Sequence, residues 1–437
     1  MISNIIFLLL LLAGSWLFAR NVRRISRNIK LGRETERNDN PALRWKTMAM
    51  VALGQSKMLT RPVAAFFHIV IYAGFIIINI EVLEIIIDGV AGTHRVFGFM
   101  GGFYDFLIAS FEWLALGVLV ACVVFLARRN LLKLKRFTMR EMTSWPRTDA
   151  NLILLIEILL MSAFLTMNAA DSLLQQRGAE HYIVAGSFPV SSVLHSWLNG
   201  LSDSGLVLLE RGCWWFHIIG ILAFLNYVPY SKHFHIFLAF PNTYYSNLKA
   251  KGQFANMPAV TVTVNEMLGI PADPSIPVAD PGGEPQRFGA KDVRDLSWKQ
   301  LMDAYSCTEC GRCSSACPAN ITGKLLSPRK IMMDTRDRLE EVGKNIDKNG
   351  EFKDDGKSLL NDYISTEELW ACTTCNACVQ ACPVNIDPLS IIMDMRQYLV
   401  MEESNAPAEL NGMFTKVENN GAPWQFSPAD RLNWTES

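Results

Sequence analysis

The tightest constraint on this chain is a run of four cysteines that occurs twice. Cys307 to Pro318 reads C-T-E-C-G-R-C-S-S-A-C-P, and Cys372 to Pro383 reads C-T-T-C-N-A-C-V-Q-A-C-P. Both have the spacing C-x2-C-x2-C-x3-C-P. In that spacing three thiolates wrap one face of a cubane iron–sulfur cluster, while the fourth points away to complete a neighbouring one. The pattern therefore assigns one 4Fe-4S cluster to Cys307, Cys310, Cys313 and Cys382, and a second to Cys372, Cys375, Cys378 and Cys317. Structural zinc uses separated C-x2-C pairs, and sulfurs this crowded cannot pair as relaxed disulfides. Two clusters with crossed ligands lie close together and form a wire, which needs a donor at one end and an acceptor at the other.

Half of the 437 residues are apolar, and the 41 basic and 42 acidic residues leave a net charge of −1, which gives no reason to expect nucleic acid. The apolar residues are concentrated in five segments, about 5–19, 63–87, 106–127, 152–169 and 213–230, the last with a helical extension to about 240, each able to span a bilayer as a helix, the first with Met1 to Asn4 contributing. The first is followed, not preceded, by positive charge (R-N-V-R-R-I-S-R), so it reads as a retained anchor rather than a signal peptide. Loops 20–61 and 128–147 carry eleven and seven Lys/Arg, against one in 88–105 and two in 171–211. By the positive-inside rule the N-terminus lies outside, and the cysteine runs lie in the cytoplasm of a bacterial or archaeal cell, beneath its inner membrane. Five buried helices of a soluble protein would not explain that asymmetry.

The expected fold is all-α: a five-helix transmembrane bundle (1–249), a Pro/Gly-rich linker (250–295), a helical ferredoxin-type dicluster domain (296–404) and an irregular tail (405–437). Trp298 to Tyr305 begins a short helix into the first cysteine run. The two halves of the cluster domain repeat: Ile331 to Leu339 and Ile391 to Leu399 both read as amphipathic helices, with Pro328 and Pro388 placed where a first-turn proline is tolerated.

Four histidines, His68, His217, His233 and His235, lie in or beside spans, where a polar ring facing lipid is costly. On a straight helix His217 and His235 are five turns apart on one face, about 27 Å, with His233 nearly opposite. His68 is level with His235 in depth, so a bis-histidine haem b between His68 and His235 is sterically sensible. Glu157, inside the fourth span, is a candidate proton or quinone site, because intramembrane carboxylates are costly and usually functional. Glu81, Glu84 and Glu112 lie towards outer ends.

The segment Pro229-Tyr-Ser-Lys-His-Phe-His235-Ile-Phe-Leu-Ala-Phe-Pro241 resembles the last-helix signature of the respiratory nitrate reductase gamma subunit, a five-span dihaem cytochrome b. That resemblance implies that His68 and His235 bind the cytoplasmic-side haem and that His217 supplies one axial position of an outer haem. The chain departs from the family where the fourth ligand is expected, about ten residues past His68: Ile78 and Asn79 stand there. Either one haem b binds, or two, with His94 (less readily His195) folded back as a substitute. The cysteine part is similar to cluster-bearing heterodisulfide reductase subunits, and the fusion of both modules resembles membrane-bound iron–sulfur oxidoreductases of that superfamily. It lacks the C-C-G motifs by which relatives reduce a disulfide.

These readings converge on an electron-transfer subunit of a respiratory-chain oxidoreductase. It would link quinone or quinol in the membrane lipid, through haem b and two 4Fe-4S clusters, to a cytoplasmic redox partner, either a C-C-G domain protein or a flavoprotein. No catalytic residue of its own is expected. A membrane-anchored redox sensor and a passive anchor of a soluble oxidoreductase are the alternatives.

Overall fold

The structure, a computed structural model, describes residues 2–254, 257–271 and 287–436. The Pro/Gly-rich centre of the expected linker, 272–286, lies outside the described residues. Those residues form helices and isolated bridges without a strand, so the all-α expectation holds.

Five helices are long and apolar enough to cross a membrane: Ile2–Ile29, Pro62–Ala91, Gly102–Asn130, Ser144–Gln176 and Asp203–Tyr230. Their ends follow local chemistry. Pro62 opens the second at a position where its missing N–H costs nothing, and Gly92 at φ 76° closes it in the left-handed region. The Ser202 hydroxyl accepts the Gly205 N–H at 3.2 Å to cap the fifth. The second packs on the third, the third on the fourth, the fourth on the fifth, the fifth on the first, and the first back on the second. The bundle is thus a closed ring. Gly89 allows the closure, since a Cβ there would meet the Phe7 ring at 2.7 Å.

The fifth span does not continue as one helix. Its α-helix ends at Tyr227, a 3-10 turn covers Val228–Tyr230, Ser231 is extended (φ −115°, ψ 153°), a second 3-10 turn covers Lys232–Phe234, and a new helix runs His235–Tyr244. Pro229 removes a backbone donor, while the Ser231 hydroxyl accepts the His233 N–H at 3.1 Å and donates to Asp149 at 2.6 Å. The straight-helix relation between His217, His233 and His235 is therefore overturned.

In the cluster domain, Ser297 and Gln300 form a reciprocal cap on the helix Trp298–Ser306. The repeated helices are Pro328–Asn349 and Pro388–Met401, each with its proline in the first turn. Three expectations shift. A helix, Pro258–Met267, forms within the linker. Residues 287–295, assigned to the linker, are packed, with Ala290 and Val293 buried. The tail contains the helix Ala408–Asn420 and a 3-10 stretch, Pro428–Thr435.

One apolar core crosses from the bundle into the cluster domain, joining Ile25, Ile153, Phe224, Val228 and Phe234 to Leu301, Tyr305, Ile331 and Ile391. Each fully buried side chain of this kind contributes about 1.5–3 kcal/mol. That outweighs half-exposed ion pairs at the same junction such as Arg27–Asp347, worth about 0–1 kcal/mol. Backbone bonds reinforce it: Arg33 N–H donates to Leu296 O at 2.7 Å, and Trp298 N–H to Arg33 O at 3.0 Å. Gly32 permits that approach, since a Cβ would fall 2.6 Å from the Trp298 nitrogen. The cluster domain is thus seated directly on one end of the bundle.

Candidate functional site

Each cysteine run bends through two left-handed residues at matched positions, Glu309 (φ 53°) and Gly311 (φ 70°) in the first, Thr374 (φ 55°) and Asn376 (φ 60°) in the second. A short helix follows each, Arg312–Ala316 and Ala377–Ala381. These turns curl the first three cysteines of a run around a hollow and send the fourth towards the other run. Cys307, Cys310 and Cys313 line one hollow together with Cys382 of the second run. Cys317 lies within electrostatic range of Cys372 and Cys378. The fold thus places Cys382 beside Cys307, Cys310 and Cys313, and Cys317 near Cys372 and Cys378.

Burial pushes the Cys307 thiol up to about 11 and those of Cys378 and Cys382 to about 12. Crowded, desolvated thiols of this kind become thiolates only when a cationic centre is bound among them, which suits iron. Among the described residues no three His, Cys, Asp or Glu side chains converge on a single-ion site; sulfurs around a cubane surround a larger group. The two sets differ in exposure. Cys307, Cys317, Cys378 and Cys382 are buried, whereas Cys375 is exposed. Basic groups surround the first set: Lys57 donates to Cys382 O at 3.2 Å, and Arg312 donates to Lys57 O at 3.0 Å.

His68, His233 and His235 gather at the bundle end that faces the clusters. His235 Nδ1 lies 3.1 Å from Lys232 O. A carbonyl only accepts, so Nδ1 carries the proton and Nε2 is left with a free lone pair, the arrangement of a histidine ready to ligate metal. His217 makes the same bond to Leu160 O at 3.1 Å. His68 Nδ1 is buried without a partner, and His68 lies within electrostatic range of both His235 and Arg312. His233 stands beside His235, with ring centroids 5.6 Å apart, and also meets Phe224 at 5.3 Å. The residues that could have signalled this are Pro229 and Ser231, which break the helix.

At the opposite end of the bundle the first, second, fourth and fifth spans enclose a cavity of about 260 Å³, walled by Phe7, Trp214 and Trp215. Glu81 and His94 both line it, and each keeps a buried polar atom, Oε2 and Nδ1, without a partner. His94 Nε2 lies 3.4 Å from Asp171 and its ring packs on Tyr182, centroids 5.1 Å apart. His195 pairs with Ser172 at 2.7 Å. The other carboxylates are occupied: Glu84 accepts from Tyr104 at 2.7 Å, and Asp171 pairs with Arg95 at 2.5 Å. Glu157 lies elsewhere, within electrostatic range of Cys122. The sequence signalled Glu81 only through its place towards an outer end.

Fold and site define a class: an iron–sulfur protein with two cubane sites seated on a bundle of five potential membrane helices. Residues 306–386 match the 4Fe-4S dicluster domain family. Among relatives, the "Probable iron-sulfur-binding oxidoreductase FadF" of Bacillus subtilis is 26% identical over 466 residues, covering 100% of this chain and 61% of that protein. The "EtfAB:quinone oxidoreductase" of Syntrophomonas wolfei is 26% identical over 427 residues, covering 92% of this chain and 55% of that one. One of the proteins that make up the dihydromethanophenazine:CoB–CoM heterodisulfide reductase of Methanosarcina acetivorans is 27% identical over 151 residues, covering 33% of this chain and 35% of that one. The chain therefore spans a little over half the length of the first two relatives. No solved structure matches it. The chain carries a 4Fe-4S dicluster domain and is related to iron–sulfur oxidoreductases, components of heterodisulfide reductases among them.

Proposed function

We propose that the chain passes electrons between a quinone pool in the membrane and a redox partner, through haem b and two 4Fe-4S clusters. The observation that carries this reading is the junction between bundle and cluster domain. Arg312 lies within electrostatic range of His68 on one side and of Cys310 and Cys382 on the other. His68 and His235 would hold haem b. Cys307, Cys310, Cys313 and Cys382 would hold the cluster next to it, and Cys372, Cys375, Cys378 and Cys317 the outer one. These groups supply one-electron chemistry, and the protein's part is to order and insulate them.

The order follows from exposure: no cysteine of the set facing the bundle is exposed, whereas the second set contains exposed Cys375 and offers a contact to a partner. A C-C-G domain protein or a flavoprotein fits that role. At the far end, the cavity sets Phe7, Trp214 and Trp215 among polar side chains, which suits a quinol: its ring can pack on the aromatic side and its hydroxyls can donate to the free atoms of Glu81 and His94. Its neighbour His217, one turn from Trp214, would then serve a second haem b. This reading uses His94 as a base of the cavity rather than as an iron ligand. The Lys/Arg-rich loops adjoin the cluster domain, which supports a cytoplasmic location for that domain. Iron and pyridine haemochrome assays on the purified chain test this. Iron for two cubanes together with a haem b spectrum supports the proposal, and iron without any haem removes the membrane half of the path.

A further inference from the structure

Lys232 begins the 3-10 turn that delivers His235, and its two polar ends serve different sites. Its carbonyl oxygen accepts the Nδ1 proton of His235 at 3.1 Å. Its ammonium donates to Pro146 O at 2.7 Å and to the Glu309 carboxylate, with Asp149 at 3.7 Å. Glu309 stands between Cys307 and Cys310, at one of the left-handed turns that shape the first hollow. Its second oxygen accepts from Arg336 at 2.8 Å. Lys232 and Glu309 are 9% and 3% exposed, so this pair acts across a region that water screens poorly.

We propose that Lys232 is a positioning residue that locks the His235 turn and the Cys307–Cys310 loop into one register, and that its charge sets the reduction potential of the cluster in that loop. This rests on the reading of Cys307, Cys310, Cys313 and Cys382 as one cluster's ligands. Reduction adds negative charge to a cluster, so a nearby ammonium favours the reduced form and a nearby carboxylate opposes it. Removing one member of the pair leaves the others hydrogen-bonded. Glu309 keeps Arg336, and Asp149 keeps the Tyr227 and Ser231 hydroxyls. The variants should therefore fold.

The test is a redox titration of the purified full chain followed by electron paramagnetic resonance. Lys232→Gln should lower the potential of one cluster signal by about tenfold in its reduced-to-oxidised ratio, ~59 mV for one electron. Glu309→Gln should raise the same signal, the double variant should return towards the parent, and Lys232→Arg should stay near it. The second cluster signal should not move. Unmoved potentials, or equal shifts of both signals, overturn the proposal. If Lys232→Gln fails to assemble, Glu309→Gln and Lys232→Arg decide it by the same signs. Failure of the underlying reading looks different: Cys310→Ser and Cys382→Ser would then remove different cluster signals.

Discussion

Arg329, fully buried at the start of the helix Pro328–Asn349, forms a 2.7 Å ion pair with Glu141 of the loop between the third and fourth apolar helices. The same guanidinium donates to Arg136 O at 2.6 Å, and Glu141 also accepts from the Ser327 hydroxyl at 2.5 Å. One arginine thus ties a loop of the bundle to the floor of the first cysteine hollow. Removing one partner of such a pair leaves an uncompensated buried charge, at about 3–5 kcal/mol. Arg329→Met should lower the stability of the cluster domain by that amount in chemical denaturation, and should expose residues 131–143 to protease. A loss under about 1 kcal/mol, the range of an exposed pair, would show that the pair does not hold the junction.

The pair also implies a pH dependence. Burial raises the Glu141 carboxyl, but Arg329 and the Ser327 hydroxyl outweigh it and hold the group below the usual carboxylate range. A carboxyl lowered in the folded state stabilises above its unfolded value and loses that contribution as pH falls through the folded one. Below about pH 4.5 the parent should therefore lose melting temperature more steeply than Glu141→Gln. Parallel melting curves from about pH 6 to about pH 3.5 would contradict this.

Two neighbouring histidines should behave differently. His235 has its Nδ1 fixed by Lys232 O, whereas His233 packs between Phe224 and His235. If the proposed haem b sits between His68 and His235, His235→Ala and His68→Ala should each abolish its haemochrome spectrum. His233→Ala should retain its haem and shift its spectrum slightly. Loss of haem in all three would place His233 in the ligand set.

Exposure separates the clusters in a second way. Cys375 is exposed while Cys307 and Cys382 are buried, so an aqueous iron chelator or ferricyanide should strip one cluster well before the other. Non-haem iron should fall from roughly eight atoms to roughly four and then pause. Cys375→Ser should remove that labile phase, and Cys310→Ser the slower one. A single-phase loss would mean that the two sites are equally accessible.

The cysteine spacing was enough to read the cluster domain, because ligand sets impose fixed intervals and the repeated first-turn prolines mark both following helices. The five long apolar helices were equally legible from apolar length. The turn at Ser231 was not. Its geometry depends on Asp149, 82 positions earlier, and no local pattern reveals such a partner. The same holds for the far cavity, where Glu81 and His94 meet residues from four spans. Residues 287–295 looked like linker by neighbouring composition, yet Val293 and Ala290 find burial against distant helices.

The proposed electron path, from within the apolar bundle to exposed Cys375, is tested most directly by rapid mixing of the purified chain with a soluble quinol analogue. Haem absorbance and the two cluster signals are followed together after freezing. The path requires haem reduction first, then partial reduction of the clusters, with the cluster phase lost in Cys310→Ser while the haem phase persists. Haem that no quinol reduces, or clusters that stay oxidised beside fully reduced haem of lower potential, would contradict it.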